Sequence, residues 1–139
     1  MMRDVEAQLH RRSPLAVAAF RVVFGLLFLC HGLSKLVGWP LPPAVPGGAW
    51  PLYYAGWIEL ATGALVAVGL FTRAAAFIAS GEMAAAYFSE HSTHGLLPIA
   101  NHGEMAVLYC FGFFLLTFTG GGAYALDNRR HAQRGWSAR

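Results

Sequence analysis

Four apolar runs, separated by stretches of Pro, Gly and charge, organise the chain. Crossing a bilayer takes about 20 mainly apolar residues at ~1.5 Å rise each. Residues 14–36, 52–71, 74–90 and 102–119 approach that length. For the first run, Ser13 is placed to cap a helix and Pro14 to occupy its first position. The third, AAAFIASGEMAAAYFS, is rich in alanine, which suits a helix packed closely among others. The fourth closes at Gly120, Gly121 and Gly122, where a helix C-terminus is expected. Between the first two runs, GWPLPPAVPGGAWP forbids regular structure.

The loop charges give these runs a direction. Arg3, Arg11 and Arg12 precede the first run, Arg73 lies between the second and third, and Arg129, Arg130, Arg134 and Arg139 follow the fourth. The two longer loops carry no Lys or Arg. In a four-span weave every loop arginine falls on one side, so both termini are expected in the cytoplasm. Asp4 and Glu6 interrupt the basic start and no small-residue cleavage site follows, so the N-terminus is expected to be retained.

Composition agrees with that weave. At 139 residues, 56% hydrophobic and only 12% charged, the chain has too little polar surface to cover a soluble globule. The expected fold is all-α, an integral membrane four-helix bundle forming a single domain over residues 1–139. A net charge of +3 does not point to nucleic acid, because the arginines gather at the termini without interleaved aromatics. Cys30 and Cys110 both lie in apolar runs outside any CxxC, so no disulfide framework is expected.

Polar residues inside the runs carry the candidate chemistry. Arg21, His31 and Lys35 lie in the first, Glu59 in the second, Glu82 in the third, and His102 with Glu104 at the start of the fourth. A charge near the bilayer centre costs about 2.5 to 3.5 kcal/mol, so each needs a partner, a water-filled cavity or a route to the surface. From the outer ends at ~1.5 Å per residue, His31, Glu59 and Glu82 lie roughly 8 to 12 Å deep, with Lys35, His102 and Glu104 near the mouth. On a helical projection Arg21, Gly25, Phe28, His31, Gly32 and Lys35 share one arc, while Ala55, Gly56, Thr62 and Gly63 gather around Glu59. One outer-half polar pocket is the expectation.

Such a cluster suits three kinds of work. Carboxylates and imidazoles could exchange protons with a quinone or quinol headgroup. His31, Glu59, Glu82, His102 and Glu104 could hold a metal ion, although no Glu-x-x-His spacing supports it. The same groups could relay a small solute across the membrane. The bland alternative is charge neutralisation that only locks the bundle, with Lys35 snorkelling outward. Trp39, Trp50, Tyr53, Tyr54 and Trp57 read as an interfacial belt.

Several segments together resemble the DoxX family of small four-span bacterial inner-membrane proteins. They are RVVFGLLFLCHGLSKLVGW (21–39), GWIELATGALVAVGLFTRAAA (56–76), the H-G-E at 102–104 and TGGGAYALD (119–127), in which Ala125 stands where the family has Ser. The resemblance implies a multi-pass protein of the bacterial plasma membrane, associated with a redox or oxidative-stress system. Arg21, His31, Lys35, Glu59 and Glu104 match its motifs. No nucleophile motif or nucleotide loop appears. The expected role is therefore an oxidoreductase-associated subunit more than a stand-alone enzyme, with a scaffold that recruits soluble redox enzymes through the basic tail as an alternative, and with the lipid bilayer, soluble redox enzymes and a second copy as expected partners.

Overall fold

The computed structural model describes residues 1–130. Arg134, Arg139 and most of the basic tail lie outside them. The described residues are helical and contain no strand. Four main helices are α1 (Met2–Val37), α2 (Leu52–Val68), α3 (Thr72–Ala86) and α4 (Glu104–Thr119). A π-helical turn, Tyr87–His91, and a 3₁₀ turn, Ser92–His94, prolong α3.

The first helix begins earlier than the pair Ser13 and Pro14 suggests. It runs unbroken from Met2, with Pro14 inside it. Proline at that position has no N–H to offer the His10 carbonyl. The Ser13 hydroxyl donates to that carbonyl at 2.9 Å instead, so the lost bond is replaced and the helix continues. Ser13 repairs an interior turn; it does not cap.

Helices α1 and α2 meet backbone to backbone. A Cβ on Gly32 would sit 2.5 Å from the Leu60 amide nitrogen, and one on Gly25 2.5 Å from that of Ala67. From the other side, a Cβ on Gly63 would lie 2.6 Å from the Leu29 nitrogen. Only glycine fits at such a contact. Of the arc read from the sequence, Arg21, Gly25, Phe28 and Gly32 are buried, Lys35 is half-buried and His31 is exposed. Phe28, Val66, Ala79, Tyr109, Phe113 and Leu116 form the core where all four helices converge.

Helix α2 ends at Val68, three residues before residue 71, where the apolar run ends, and is capped by Gly69, whose left-handed φ of 75° directs its N–H back to Leu65 and Val66. The Gly-rich segment after α4 then straps this end together. Ala123 N–H donates to the Pro14 carbonyl at 2.8 Å, and Asp127 N–H to that of Gly69 at 2.9 Å. The Asp127 carboxylate accepts from Phe71 N–H, Thr72 N–H and the Thr72 hydroxyl at 2.7 to 2.9 Å, capping α3. Ala125, 2% exposed, fills the space beside Gly69 and Gly121. A methyl is what that gap accepts.

Three stability outcomes follow. Gly32→Leu should destabilise the protein by about 1 to 3 kcal/mol, because its side chain must push the facing backbones apart. Gly81→Ala, with nothing within 4 Å of the added carbon, should be neutral or stabilising; denaturation in detergent compares the two. Burial alone would push the Asp127 carboxyl up, but the hydrogen bonds from Thr72 and Phe71, with Arg130 nearby, hold it below the usual carboxylate range. Its contribution is therefore present above the unfolded value and lost as pH falls through the folded one. Asp127→Asn should lower the melting temperature at neutral pH and flatten the acid side of the stability profile.

Candidate functional site

The polar residues of the helices sort into two ends. Arg21 belongs with the strap and not with the outer cluster. Its guanidinium donates to the Val66 and Ala67 carbonyls at 3.0 and 2.5 Å and to Gly121 at 2.9 Å. Lys35 lies fourteen residues further along the same helix, roughly 21 Å away, so the two cations cannot share a pocket. Arg21 donates to carbonyls of the last turn of α2, joining the Gly69 N–H at Val66, where a cation is also favoured by the helix dipole.

At the other end Lys35 and Glu59 form an ion pair. Lys35 Nζ lies 2.5 Å from Glu59 Oε1, and Glu59 is 2% exposed. The glycine contact brings them together, since Gly32 and Gly56 flank the pair on the facing helices. Glu82 on α3 lies within electrostatic reach of both. Both of its carboxylate oxygens, and Glu59 Oε2, are enclosed without a hydrogen-bond partner among the described residues.

Glu82 and Lys35 line a cavity of about 240 Å³ between α1, α2 and α3. Its remaining walls are mostly apolar, from Leu52, Ala55, Ile58, Ala85 and Ala86, with Trp50 and Tyr54 to one side and Ser89 and Glu90 at the exposed end. Trp50 and Tyr54 pack with ring centroids 5.6 Å apart. They form a cavity wall as well as the belt their composition suggests. Glu90 did not emerge as a pocket residue from the sequence. Its signal was there, since Glu82, Ala86, Ser89 and Glu90 follow one helical face at i, i+4, i+7 and i+8.

Three other expected members go elsewhere. Helix α1 packs on both α2 and α4, and its polar face is divided between them. Lys35 turns to α2, while His31 meets the Tyr109 ring of α4 edge-on at 5.6 Å and does not line the cavity. His102 and Glu104 are exposed. Asn101, 4% exposed, takes the inner place beside them, bonding Gly95 O, the Gly103 N–H and the Tyr87 hydroxyl. That clamp turns His102 outward at a left-handed φ of 59°. The metal set of His31, Glu59, Glu82, His102 and Glu104 is therefore not assembled, and no group of three or more His, Cys, Asp or Glu side chains converges among the described residues. Cys30 and Cys110 are both free, and Cys110 instead neighbours the Ser80 hydroxyl at 3.6 Å.

A family model described as DoxX matches residues 16–92, which include Arg21, Lys35, Glu59 and Glu82. A protein of Haemophilus influenzae, described as uncharacterised, is 42% identical over 127 residues, covering 87% of this chain and 95% of its own length. An uncharacterised membrane protein of Mycobacterium tuberculosis is 27% identical over 139 residues, covering 87% of this chain and 85% of its own. No solved structure matches the chain.

Removing Lys35 should expose the dependence of Glu59 on it. Lys35→Met leaves a buried carboxylate unpaired and should cost about 3 to 5 kcal/mol. The double variant Lys35→Met with Glu59→Met should regain most of that in the same denaturation assay. A loss in the double variant equal to the sum of the losses in Lys35→Met and Glu59→Met would show that the pair is not coupled.

Proposed function

Because the chain belongs to the DoxX family, we propose that it is a multi-pass protein of the bacterial plasma membrane. In this reading α1 to α4 are its four spans and both termini are cytoplasmic. Its outer surface supports the reading. Leu26, Leu27, Phe77, Ile78, Phe111 and Phe114 all face outward, an apolar exposure that a soluble monomer rarely carries. Helix α1 holds an 18-residue window of mean hydropathy 2.0. At 17, 15 and 16 residues, α2, α3 and α4 lie at or just below the short end of the range for spanning helices, a mismatch that local thinning of the bilayer accommodates. Arg73 packs on the C-terminal end of α4, and Arg129 and Arg130 follow the strap, so these loop cations lie at the Arg21 end. The Lys35 cavity then opens towards the outer face.

In that setting the protein acts as a membrane subunit of a redox or oxidative-stress system, and the cavity receives a quinol headgroup. One observation carries this: Glu82, whose carboxyl is enclosed without a partner among the described residues, lines a largely apolar cavity. A protonated carboxyl can donate to a quinone carbonyl, and a carboxylate can accept from a quinol hydroxyl. Lys35 keeps Glu59 engaged, which leaves Glu82 as the exchanging group. Apolar walls and the Trp50 and Tyr54 rings suit a flat ring. Oxidation itself belongs to soluble redox partners. The excess of carboxyl groups favours a second reading, a small-solute transporter working through the same cavity.

Protein in lipid nanodiscs should bind a short-chain ubiquinone analogue, and Glu82→Gln should weaken that binding by about tenfold or more, as expected for a lost charge-assisted hydrogen bond. Glu104→Gln, at the surface, should leave it unchanged. Undiminished binding in Glu82→Gln sinks the proposed site.

A further inference from the structure

Charge does not balance around the Lys35 cavity. One ammonium faces two enclosed carboxyl groups, and it is already committed to Glu59 Oε1 at 2.5 Å. Three carboxylate oxygens, Glu59 Oε2 and both of Glu82, are enclosed without a donor. At the exposed end Glu90 adds a third acid, its Oε1 accepting from the Ser89 hydroxyl at 3.4 Å. Other titratable groups nearby do not restore the balance. Tyr54 of α2 brings no positive charge, and His31, one turn back on α1, is turned away to Tyr109.

An enclosed carboxylate with neither donor nor counter-charge is costly, so such a group keeps its proton or meets a cation. A bare metal ion is poorly served here, because no converging set of three ligands exists among the described residues. An organic ammonium is served well. Its N–H groups supply donors, its charge offsets Glu82, and its apolar body fills the space between Leu52, Ile58 and Ala85. The faces of Trp50 and Tyr54 attract cations through their ring electrons. About 240 Å³ suits a single-ring amine better than a bulky polycyclic one.

We propose that this cavity binds a small lipophilic ammonium ion, exchanged one for one against the proton held by Glu82. Glu82 carboxylic acid and R–NH3+ become the carboxylate–ammonium pair and a released proton; no electrons move. Lys35 holds Glu59, so the exchange falls on Glu82 alone, and Glu90 draws the cation to the mouth. This goes beyond the quinol reading and does not rest on it, since the charge count stands whether or not a quinol enters.

The test is calorimetry on the full-length protein in nanodiscs, with phenethylammonium as the probe and 2-phenylethanol as its neutral counterpart. Titrations in two buffers of different ionisation enthalpy count the protons released. Saturable binding of the ammonium with a proton released per ion, and binding of the alcohol weaker by about tenfold or more, supports the exchange. Glu82→Gln should abolish the proton release, while Glu90→Gln should keep it and weaken affinity several-fold. Equal affinity for ammonium and alcohol, or binding without proton release, overturns the proposal without any variant having to fold. Binding of the ubiquinone analogue but not of the ammonium would overturn it and leave the redox reading standing, and the reverse pattern would do the opposite.

Discussion

The direct contact between the backbones of α1 and α2 governs the polar architecture of this protein. Gly25 and Gly32 on one helix, and Gly56 and Gly63 on the other, are each seven residues apart, so the two surfaces meet along two helical turns. With side chains removed from the seam, the axes come close enough for Lys35 to reach Glu59 at one end. At the other end the same approach lets the Arg21 guanidinium reach carbonyls of α2. A larger residue in the seam would separate both pairs at once. Packing and electrostatics are here one constraint.

The two ends use their charges differently. Around Arg21 and Asp127 every group drawn in has a partner: carbonyls of α2 and of the Gly-rich strap accept from the arginine, and the start of α3 donates to the aspartate. Such a network is complete and serves to hold four chain segments together. Around Lys35 the network is open, with three carboxylate oxygens unserved beside a cavity. Completeness marks the first end as architecture. The second end is incomplete, with buried carboxyl oxygens for which the described residues supply no donor.

Much of this was readable before any fold was known. Run lengths gave four helices, and the arc holding Arg21, Gly25, Phe28 and Gly32 is the buried face of α1. Lys35, Glu59 and Glu82 were legible as charges inside apolar helices, each in need of a partner. Polar residues on a shared face do not all belong to a single pocket. Arg21 is separated by length along the helix, His31 by the division of one face between two neighbours, and His102 by the neighbouring Asn101 taking the inner position. At Pro14 a local start signal gave way to a helix already running, because Ser13 replaces the missing bond.

By itself the sequence determined the helices, the sorting of loop arginines to alternate connections and the chemical kinds of group inside the helices. Those follow from hydropathy, local turn chemistry and loop charge, all properties of neighbours in the chain. Only the tertiary structure decided which groups meet. It paired Lys35 with Glu59, left Glu82 unserved, and brought Trp50, Tyr54 and Glu90 to the same cavity. The reason is physical: a helical period tells which way a side chain faces, whereas what it faces depends on the rotation and depth of a second helix.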